Sequence, residues 1–307
     1  ATPPSRNSCC RSCGGRRTPT DPPRFALNDT PLARRLAGEG RLPDGAVETS
    51  GAKTDDAPGA YPGRPLWLHV PVWDWSLAHP HALQHRDALA RTRARLAATG
   101  APWLSVHVGF AAAEVGYDGG MRARTPALPR DVVLARATAT LRALRAAVDV
   151  PLLAENLDDQ AHPTPDGERP AFPAYAHVCE PRFLRELVLA ADVGLLLDLA
   201  HAQVSAAAQG TDVHAYLAAL PLDRVRQIHL SGPRPRGDGT LDDAHATLRD
   251  DDLALLAWTL DRTAPWGVTL EYGRDEASLL ADAARVRSVL AGRPGDDGAL
   301  RPDPTVR

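Results

Sequence analysis

The chain has 307 residues and a net charge of −3, and 24% of its residues are charged. This length fits a single (β/α)8 barrel, which takes about 250 residues, with a tail at each end. The balanced charge and the lack of a basic stripe exclude bulk nucleic-acid binding, and no apolar run approaches the ~20 residues of a membrane span.

The first 24 residues predict a disordered tail, because they contain no large aliphatic residue. Cys9, Cys10 and Cys13 lie in this tail and include one Cys-x-x-Cys, which lacks a second pair to complete four zinc ligands. Four cysteines in this arrangement do not make a disulfide framework, and no signal-peptide h-region is apparent. We therefore expect a cytoplasmic protein, with residues 25–291 as one catalytic domain and 292–307 as a second disordered tail.

Between the tails, short apolar segments alternate with segments of helical periodicity. Strands are predicted over 24–28 (weakly marked), 46–49, 66–68, 103–106, 151–154, 194–197, 225–228 and 267–270. Helices are predicted over 31–38, 81–98, 129–148, 180–191, 212–220, 251–263 and 276–290. Loops are predicted between them, most notably over 50–65, 109–127, the stretch after Glu155, and 231–246. The alternation predicts an α/β fold, a (β/α)8 TIM barrel whose first strand is degenerate.

Six of the predicted strands end in a side chain that binds metals. The six residues are His69, His107, Glu155, Asp198, His229 and Glu271, at intervals of 38, 48, 43, 31 and 42 residues. One βα unit needs roughly 30 residues or more, so the intervals are those of consecutive units. Each unit therefore places one such side chain at the C-terminal edge of the barrel, where active sites of TIM barrels lie.

A single histidine at a strand end is usually a polar residue with its hydrogen bonds made within the protein. The whole set, in contrast, would destabilise the fold unless cations were bound. Its carboxylates would repel one another, and lysine and arginine are scarce at these strand ends. Bound metal ions would offset the repulsion. Mixed imidazole and carboxylate ligands suit Fe, Mn or Zn, and more than four ligands indicate two or three ions with a bridging glutamate. Trp73 and Trp75, after the third strand, either wall the pocket or pack on the barrel rim.

Several segments in this order resemble the multinuclear non-heme iron-dependent oxidases, formerly domain of unknown function 692, which are xylose isomerase-like TIM barrels. The matching segments are Leu153–Leu157 (LAENL), Glu180–Leu187 (EPRFLREL), Leu195–His201 (LLLDLAH), Pro221–Val225 (PLDRV), Ile228–Gly232 (IHLSG), Leu241–His245 (LDDAH) and Leu270–Glu271. The resemblance covers about residues 45–290. The chain departs from the family pattern in its first strand and in Val70–Trp73, where the family has glycines after the first histidine.

The resemblance implies an enzyme that uses O2 and two or three iron ions to oxidise a residue, in particular cysteine, of a ribosomally made peptide. It also implies a precursor-peptide substrate and a leader-binding partner protein. The implied iron ligands are His69, His107, Glu155, Asp198, His229, Asp243, His245 and Glu271, with Asn156 and His201 as ligands or as supports for the ligands. Six of these, His69, His107, Glu155, Asp198, His229 and Glu271, are expected to carry the catalysis.

Two other functions fit the same residues. A divalent-metal-dependent sugar isomerase or phosphoester hydrolase would use this barrel with metal-activated water. A metal- or peptide-binding module would hold the ions without turnover.

Overall fold

The structure is a computed structural model that describes residues 23–71, 76–78, 86–117, 121–159 and 171–292. The predicted tails lie almost wholly outside these residues, as do Trp73 and Trp75 and the first five residues of the helix predicted over 81–98. Within the described residues, no helix is both long and apolar enough to cross a membrane.

The strands are β1 Arg24–Asn28, β2 Ala46–Ser50, β3 Leu66–Val70, β4 Leu104–His107, β5 Val115–Tyr117, β6 Met121–Ala123, β7 Leu152–Glu155, β8 Gly194–Asp198, β9 Val225–Leu230, β10 Gly232–Pro235, β11 Leu241–Ala246 and β12 Gly267–Leu270. Eight of them form a closed parallel barrel in the order β1-β12-β9-β8-β7-β4-β3-β2. The predicted (β/α)8 barrel is confirmed. The weakly marked first strand is a regular member that pairs with β12 and β2, because its small and apolar residues fit between them.

The helices are α1 Pro31–Gly38, α2 Ala57–Ala60, α3 Arg86–Thr99, α4 Arg130–Ala147, α5 Pro181–Ala191, α6 Leu199–Ala208, α7 Val213–Ala219, α8 Asp250–Leu260 and α9 Glu276–Leu290. Three segments predicted as loops contain regular structure. The first holds a 3-10 turn over Gly51–Asp55 and α2, and the other two fold into the β5–β6 and β10–β11 hairpins. Helix α6 was also missed, although Asp198 followed by Leu-Ala-His-Ala is a good N-terminal sequence for a helix.

Alternate residues of the barrel strands face opposite sides, and both sides are buried. The outward residues, such as Leu68, Val106, Leu197 and Ile228, join the main core under the helices. The inward residues near the N-terminal ends form a separate apolar floor of Ala26, Ala46, Trp67, Trp103, Leu153 and Leu196, with Trp266 packed against it. The candidate site residues lie above this floor, two positions further along several strands.

Candidate metal centre

The candidate site is a cavity of about 340 Å³ that lies over the C-terminal ends of the barrel strands. Eight of the ten predicted site residues line it: His69, His107, Glu155, His201, His229, Asp243, His245 and Glu271. Asp198 lies just beneath the lining, with its Oδ2 atom 3.9 Å from His229 Nδ1. The strand register accounts for the convergence, because His107 pairs directly with Glu155 and Asp198 with His229.

Glu155, the last residue of β7, faces histidines with both of its carboxylate oxygens. Its Oε2 atom lies 2.9 Å from His107 Nε2 and 3.3 Å from His69 Nε2. Its Oε1 atom lies 3.2 Å from His229 Nδ1, on the other side of the carboxylate. The side chain is 1% exposed, and Oε2 makes no hydrogen bond of good geometry. A buried carboxylate oxygen of this kind is costly unless a cation or a proton meets it.

Asp198 connects the end of β8 to the start of α6. Its Oδ1 atom accepts the backbone N–H of His201 at 2.7 Å and so caps the helix. Its Oδ2 atom is buried without a hydrogen-bond partner, close to the rings of His201 and His229. The same residue therefore fixes the strand-to-helix turn and presents one free oxygen to the cavity.

Hydrogen bonds at the far nitrogen of two rings select the nitrogen that faces the cavity. His69 Nδ1 lies 3.0 Å from Ser105 Oγ, so His69 presents Nε2 to Glu155. His201 Nδ1 donates to the Asn156 carbonyl at 2.8 Å, because a carbonyl oxygen only accepts, and His201 Nε2 then faces Asp243 Oδ2 at 3.4 Å. Such contacts orient imidazole ligands in metal sites.

Asn156 is engaged with the backbone and does not line the cavity. Its Oδ1 atom accepts the N–H of Asp198 at 2.8 Å, and its Nδ2 atom donates to the carbonyl of Asp198 at 2.9 Å. The side chain is completely buried. This geometry favours the supporting alternative over the ligand alternative for Asn156, since it locks the ends of β7 and β8 together.

A bulge in the β10–β11 hairpin brings Asp243 and His245 to the cavity. The pairs Gly232–Ala246 and Arg234–Asp242 leave two extra residues on β11. His245 has φ of 42°, in the left-handed region, and its Nε2 atom lies 3.4 Å from Asp243 Oδ2 and 3.5 Å from Glu271 Oε2. Ser231 donates to Asp243 Oδ1 at 3.1 Å. His245 remains about half exposed, so it lies at the mouth of the cavity.

The interpretation of the sequence missed Glu48 as part of the site. This residue of β2 is 4% exposed, and its Oε2 atom lies 2.9 Å from His229 Nε2. It pairs with Trp67 rather than with His69, whose partner in β2 is Ser50, and so it lies one layer below the strand ends. The sequence did contain one sign of its role, because a glutamate within a buried apolar strand needs a polar or charged partner.

The carboxyl groups of the cavity differ in their pKa. Burial raises the pKa of Asp198 to about 7, although the charge of His201 opposes the shift. Burial also acts to raise the pKa of Glu155, but His107, His69 and His229 outweigh it and hold this pKa well below the ordinary value. Asp198 therefore binds a proton more readily than a free carboxyl group, and Glu155 binds one less readily.

The histidines opposite these carboxylates respond in a matching way. Burial acts to lower the pKa of His229, but Glu48, Glu271 and Glu155 raise it well above the ordinary value. Burial also opposes the shift at His245, yet Glu271 raises its pKa to about 9. His69 differs, because burial lowers its pKa to about 4 despite the charge of Glu155. Protonation is therefore favoured at His229 and His245 and disfavoured at His69.

Three overlapping groups of side chains can hold metal ions. They are His69, His107 and Glu155; then Glu155, Asp198 and His201; then Asp198, His229 and Glu271, with the ligand atoms of each group within 4.8 Å of one another. The first and third groups fit best, because Nδ1 of His201 is the nitrogen nearest Glu155 and Asp198 and already donates to a carbonyl. Glu155 Oε2 and Asp198 Oδ2 are buried oxygens without a hydrogen bond of good geometry, and they fit a cation at both places.

A family model described as RiPP precursor modification enzyme MbnB/TglH/ChrH matches residues 64–291, which is more than half of the chain. The chain belongs to this family. The predicted resemblance is thereby confirmed. The match begins just before β3 and includes all ten predicted site residues, whereas Glu48 and the first two barrel strands precede it.

Curated relatives match a shorter part of the chain. A UPF0276 protein of Bordetella parapertussis is 41% identical over 124 residues, which are 38% of this chain and 43% of the relative. The chain thus spans less than half the length of the curated relatives that it matches.

Solved structures share the fold at low sequence identity. An AP endonuclease of family 2 from Brucella melitensis has a TM-score of 0.55 at 16% identity, over 84% of this chain and 96% of that one. A fusion of a xylose isomerase-like TIM barrel with a 4-hydroxyphenylpyruvate dioxygenase has a TM-score of 0.52 at 13% identity, over 91% of this chain and 46% of the fusion. These similarities show a xylose isomerase-like TIM barrel and leave the reaction open.

Proposed function

We propose that this chain is a multinuclear non-heme iron-dependent oxidase or oxygenase that uses O2 to modify a cysteine of a ribosomally made peptide. The observation that carries the proposal is the position of Glu155, whose two oxygens face His69 and His107 on one side and His229 on the other. A carboxylate can bridge two ions in this way, whereas one imidazole nitrogen binds a single ion.

The ligand types fit iron, and the choice of iron over manganese or zinc rests on the resemblance to the iron-dependent oxidases. The described site offers imidazole and carboxylate groups and no thiolate, a set that suits Fe, Mn or Zn. When bound, iron would supply a redox-active centre that takes a substrate thiolate, lowers the pKa of that thiol and reacts with O2. Ferrous iron fits the cytoplasmic location expected from the cysteine content.

The residues of the chain hold and shield such a centre. Ser105 and the Asn156 carbonyl orient the His69 and His201 rings from behind. The apolar floor with Trp67 and Trp103 closes the barrel below the site. Exclusion of water below the ligands strengthens their interactions with charge.

The mouth of the cavity has walls suited to a peptide. Pro71, Leu157 and Tyr175 supply apolar surface to the cavity, and Lys53 and Asn28 supply polar groups. The description of the family supports a precursor peptide as the substrate. A leader-binding partner protein that presents this peptide is part of the proposal.

The test combines metal analysis with turnover. The protein is purified without oxygen, loaded with Fe(II), and mixed with a short cysteine-bearing peptide encoded beside its gene, while an electrode follows O2 and mass spectrometry follows the peptide. We expect O2 uptake together with a mass change confined to the cysteine-containing fragment. The same peptide with serine in place of cysteine is the control and should remain unchanged.

Two other outcomes would contradict the proposal. Turnover of a sugar or phosphoester with Zn or Mn, independent of O2, would favour the isomerase or hydrolase. Full metal occupancy without any turnover of peptides from the genomic neighbourhood would favour a binding module.

A further inference from the structure

Glu48 is a buried carboxylate that belongs to none of the three ligand groups, yet it contacts one of their members. Its Oε2 atom accepts hydrogen bonds from His229 Nε2 at 2.9 Å, from Gln227 Nε2 at 2.7 Å and from Thr269 Oγ1. All four side chains lie inside the barrel and are at most 4% exposed. Glu48 reaches the third ligand group only through the His229 ring.

The contact with Glu48 determines how His229 can bind a metal. A carboxylate accepts hydrogen bonds, so His229 Nε2 carries the proton of this contact. The opposite nitrogen, Nδ1, then faces Glu155 Oε1 at 3.2 Å, Glu271 Oε2 at 3.5 Å and Asp198 Oδ2 at 3.9 Å. His229 therefore presents Nδ1 to the ligand groups, while His69 presents Nε2.

Resting on the proposed metal-dependent function, we propose that Glu48 is the positioning residue of His229 and sets the affinity of the ion held by Asp198, His229 and Glu271. The partners behind two other rings are neutral: a hydroxyl for His69 and a backbone carbonyl for His201. A charged acceptor makes the far nitrogen of an imidazole a stronger donor to a metal. Glu48 therefore acts most strongly on the group of Asp198, His229 and Glu271, because its hydrogen bond to the ligand groups is made to the His229 ring.

The floor of the barrel holds Glu48 in place for this role. Gln227, which donates to Glu48, accepts from Trp103 Nε1 at 2.7 Å through its Oε1 atom. The Trp103 ring packs against Trp67 at 4.7 Å and Trp266 at 5.4 Å between centroids. The glutamate is thus fixed from below by a rigid aromatic cluster, so that the His229 ring is oriented before a metal binds.

The test is Glu48→Gln, which keeps the side-chain volume and removes the charge. Wild type and variant are titrated with Co(II), with visible absorption to follow each site and elemental analysis to count ions. We expect the affinity of one site to fall roughly 10–100-fold, with a much smaller change at the other site. Ser105→Ala should show the reverse pattern, because Ser105 contacts His69 and not His229.

Asp282→Asn is the matched control for the loss of a buried carboxylate. Asp282 is 4% exposed and accepts the N–H of Leu248 at 2.9 Å, away from the cavity. The Asp282→Asn variant should have a lower melting temperature and unchanged Co(II) affinity at both sites. Should Glu48→Gln fail to fold, Glu48→Asp retains the charge at a greater distance, and weakened binding at the same single site would support the proposal.

Wild-type affinity at both sites in folded Glu48→Gln would overturn the inference, as would equal weakening at both sites. A wild-type protein that binds no metal would instead overturn the proposed function, and this inference with it.

Discussion

Glu155 is the residue on which the proposed centre most depends, because one of its oxygens contacts His69 and His107 of the first ligand group and the other contacts His229 of the third group. Glu271, by comparison, contacts His229 and His245 through a single oxygen. These two glutamates differ in position but not in chemistry. Their variants therefore separate a bridging role from a terminal one.

We expect Glu155→Ala to remove more than one equivalent of metal and to abolish activity, while the barrel stays folded. The reason is that both ions would lose a ligand in one substitution. Elemental analysis after anaerobic loading with Fe(II) measures the loss, and circular dichroism checks the fold. Glu271→Ala is the comparison, and this variant should lose about one equivalent of metal. Equal losses in the two variants would remove the bridging role of Glu155.

Asp29, which follows β1, forms a buried ion pair beside the cavity. Its two oxygens accept from Arg34 at 2.7 Å each, and Tyr61 and Thr49 donate to it as well. Burial acts to raise the pKa of Asp29, but the hydrogen bond of Arg34 and those of Tyr61 and Thr49 outweigh it, so the pKa lies below the ordinary 3.8. Its ionised form therefore stabilises the folded state.

We expect Asp29→Asn to lower the free energy of unfolding by about 2–3 kcal/mol at pH 7, since it leaves a partly exposed Arg34 without its buried partner. The folded-state pKa is the lower one, so this difference is full above about pH 4 and shrinks as the pH falls through the lowered value. Urea unfolding at pH 7 and pH 3 measures it. Asp56→Asn, at an exposed partner of Arg34, should cost only about 0.5 kcal/mol. An equal loss in the free energy of unfolding at pH 7 and pH 3 would contradict the stabilising role of ionised Asp29.

At the scale of elements, the ligand residues at the strand ends could be predicted from the sequence, whereas departures from regular strands could not. The residues His69, His107, Asp198 and His229 follow apolar runs, and the parallel barrel brings such ends to one edge. Glu48 could not be recognised from the strand ends, because it lies one layer below that edge.

The β10–β11 hairpin shows a second limit of prediction. The bulge depends on how β11 pairs with β10, and no local pattern in Leu241–Ala246 marks its extra residues or the left-handed backbone of His245. The roles of Asn156 and His201 also depended on a long-range contact, since the two residues are joined through the carbonyl behind the His201 ring. Spacing alone left the choice between ligand and support open.

We expect Gly232→Ala to disturb the bulge that carries Asp243 and His245. A Cβ atom at Gly232 would lie 2.1 Å from the Thr247 carbonyl oxygen and 2.8 Å from that of Ala246, and these backbone atoms cannot rotate away. The strain should cost about 1–3 kcal/mol of stability and weaken metal binding. Thermal unfolding and Co(II) titration measure both effects.

Gly237→Ala is the control in the same hairpin, because nothing lies within 4 Å of its Cβ position. It should change neither property. A Gly232→Ala variant as stable as wild type, with wild-type Co(II) affinity, would show that the bulge does not hold these side chains.

At the scale of the whole molecule, the barrel divides into an apolar floor and a charged cavity. The floor residues Trp67 and Trp103 come two positions before His69 and Ser105 on the same strands, so one set of strands builds both layers. The fold and the position of the cavity could therefore be predicted from the periodicity of the sequence. The metal, the peptide and the modified residue did not, because they depend on molecules outside the chain.

The cysteines of the predicted N-terminal tail lie outside the described residues, and the ligand groups of the barrel contain no thiolate. We therefore expect the triple variant Cys9→Ser, Cys10→Ser, Cys13→Ser to retain its metal content and activity. Elemental analysis and the peptide assay measure these properties. Lost iron would show that the tail supplies a ligand or occupies the site of the substrate thiol.

The most direct test of the central claim is the iron stoichiometry of the wild-type protein after anaerobic loading with Fe(II) and removal of free metal. Glu155 and Asp198 each belong to two of the three ligand groups, and this sharing predicts two or three iron ions per chain. A protein that retains one ion or none, although folded, would contradict the multinuclear centre.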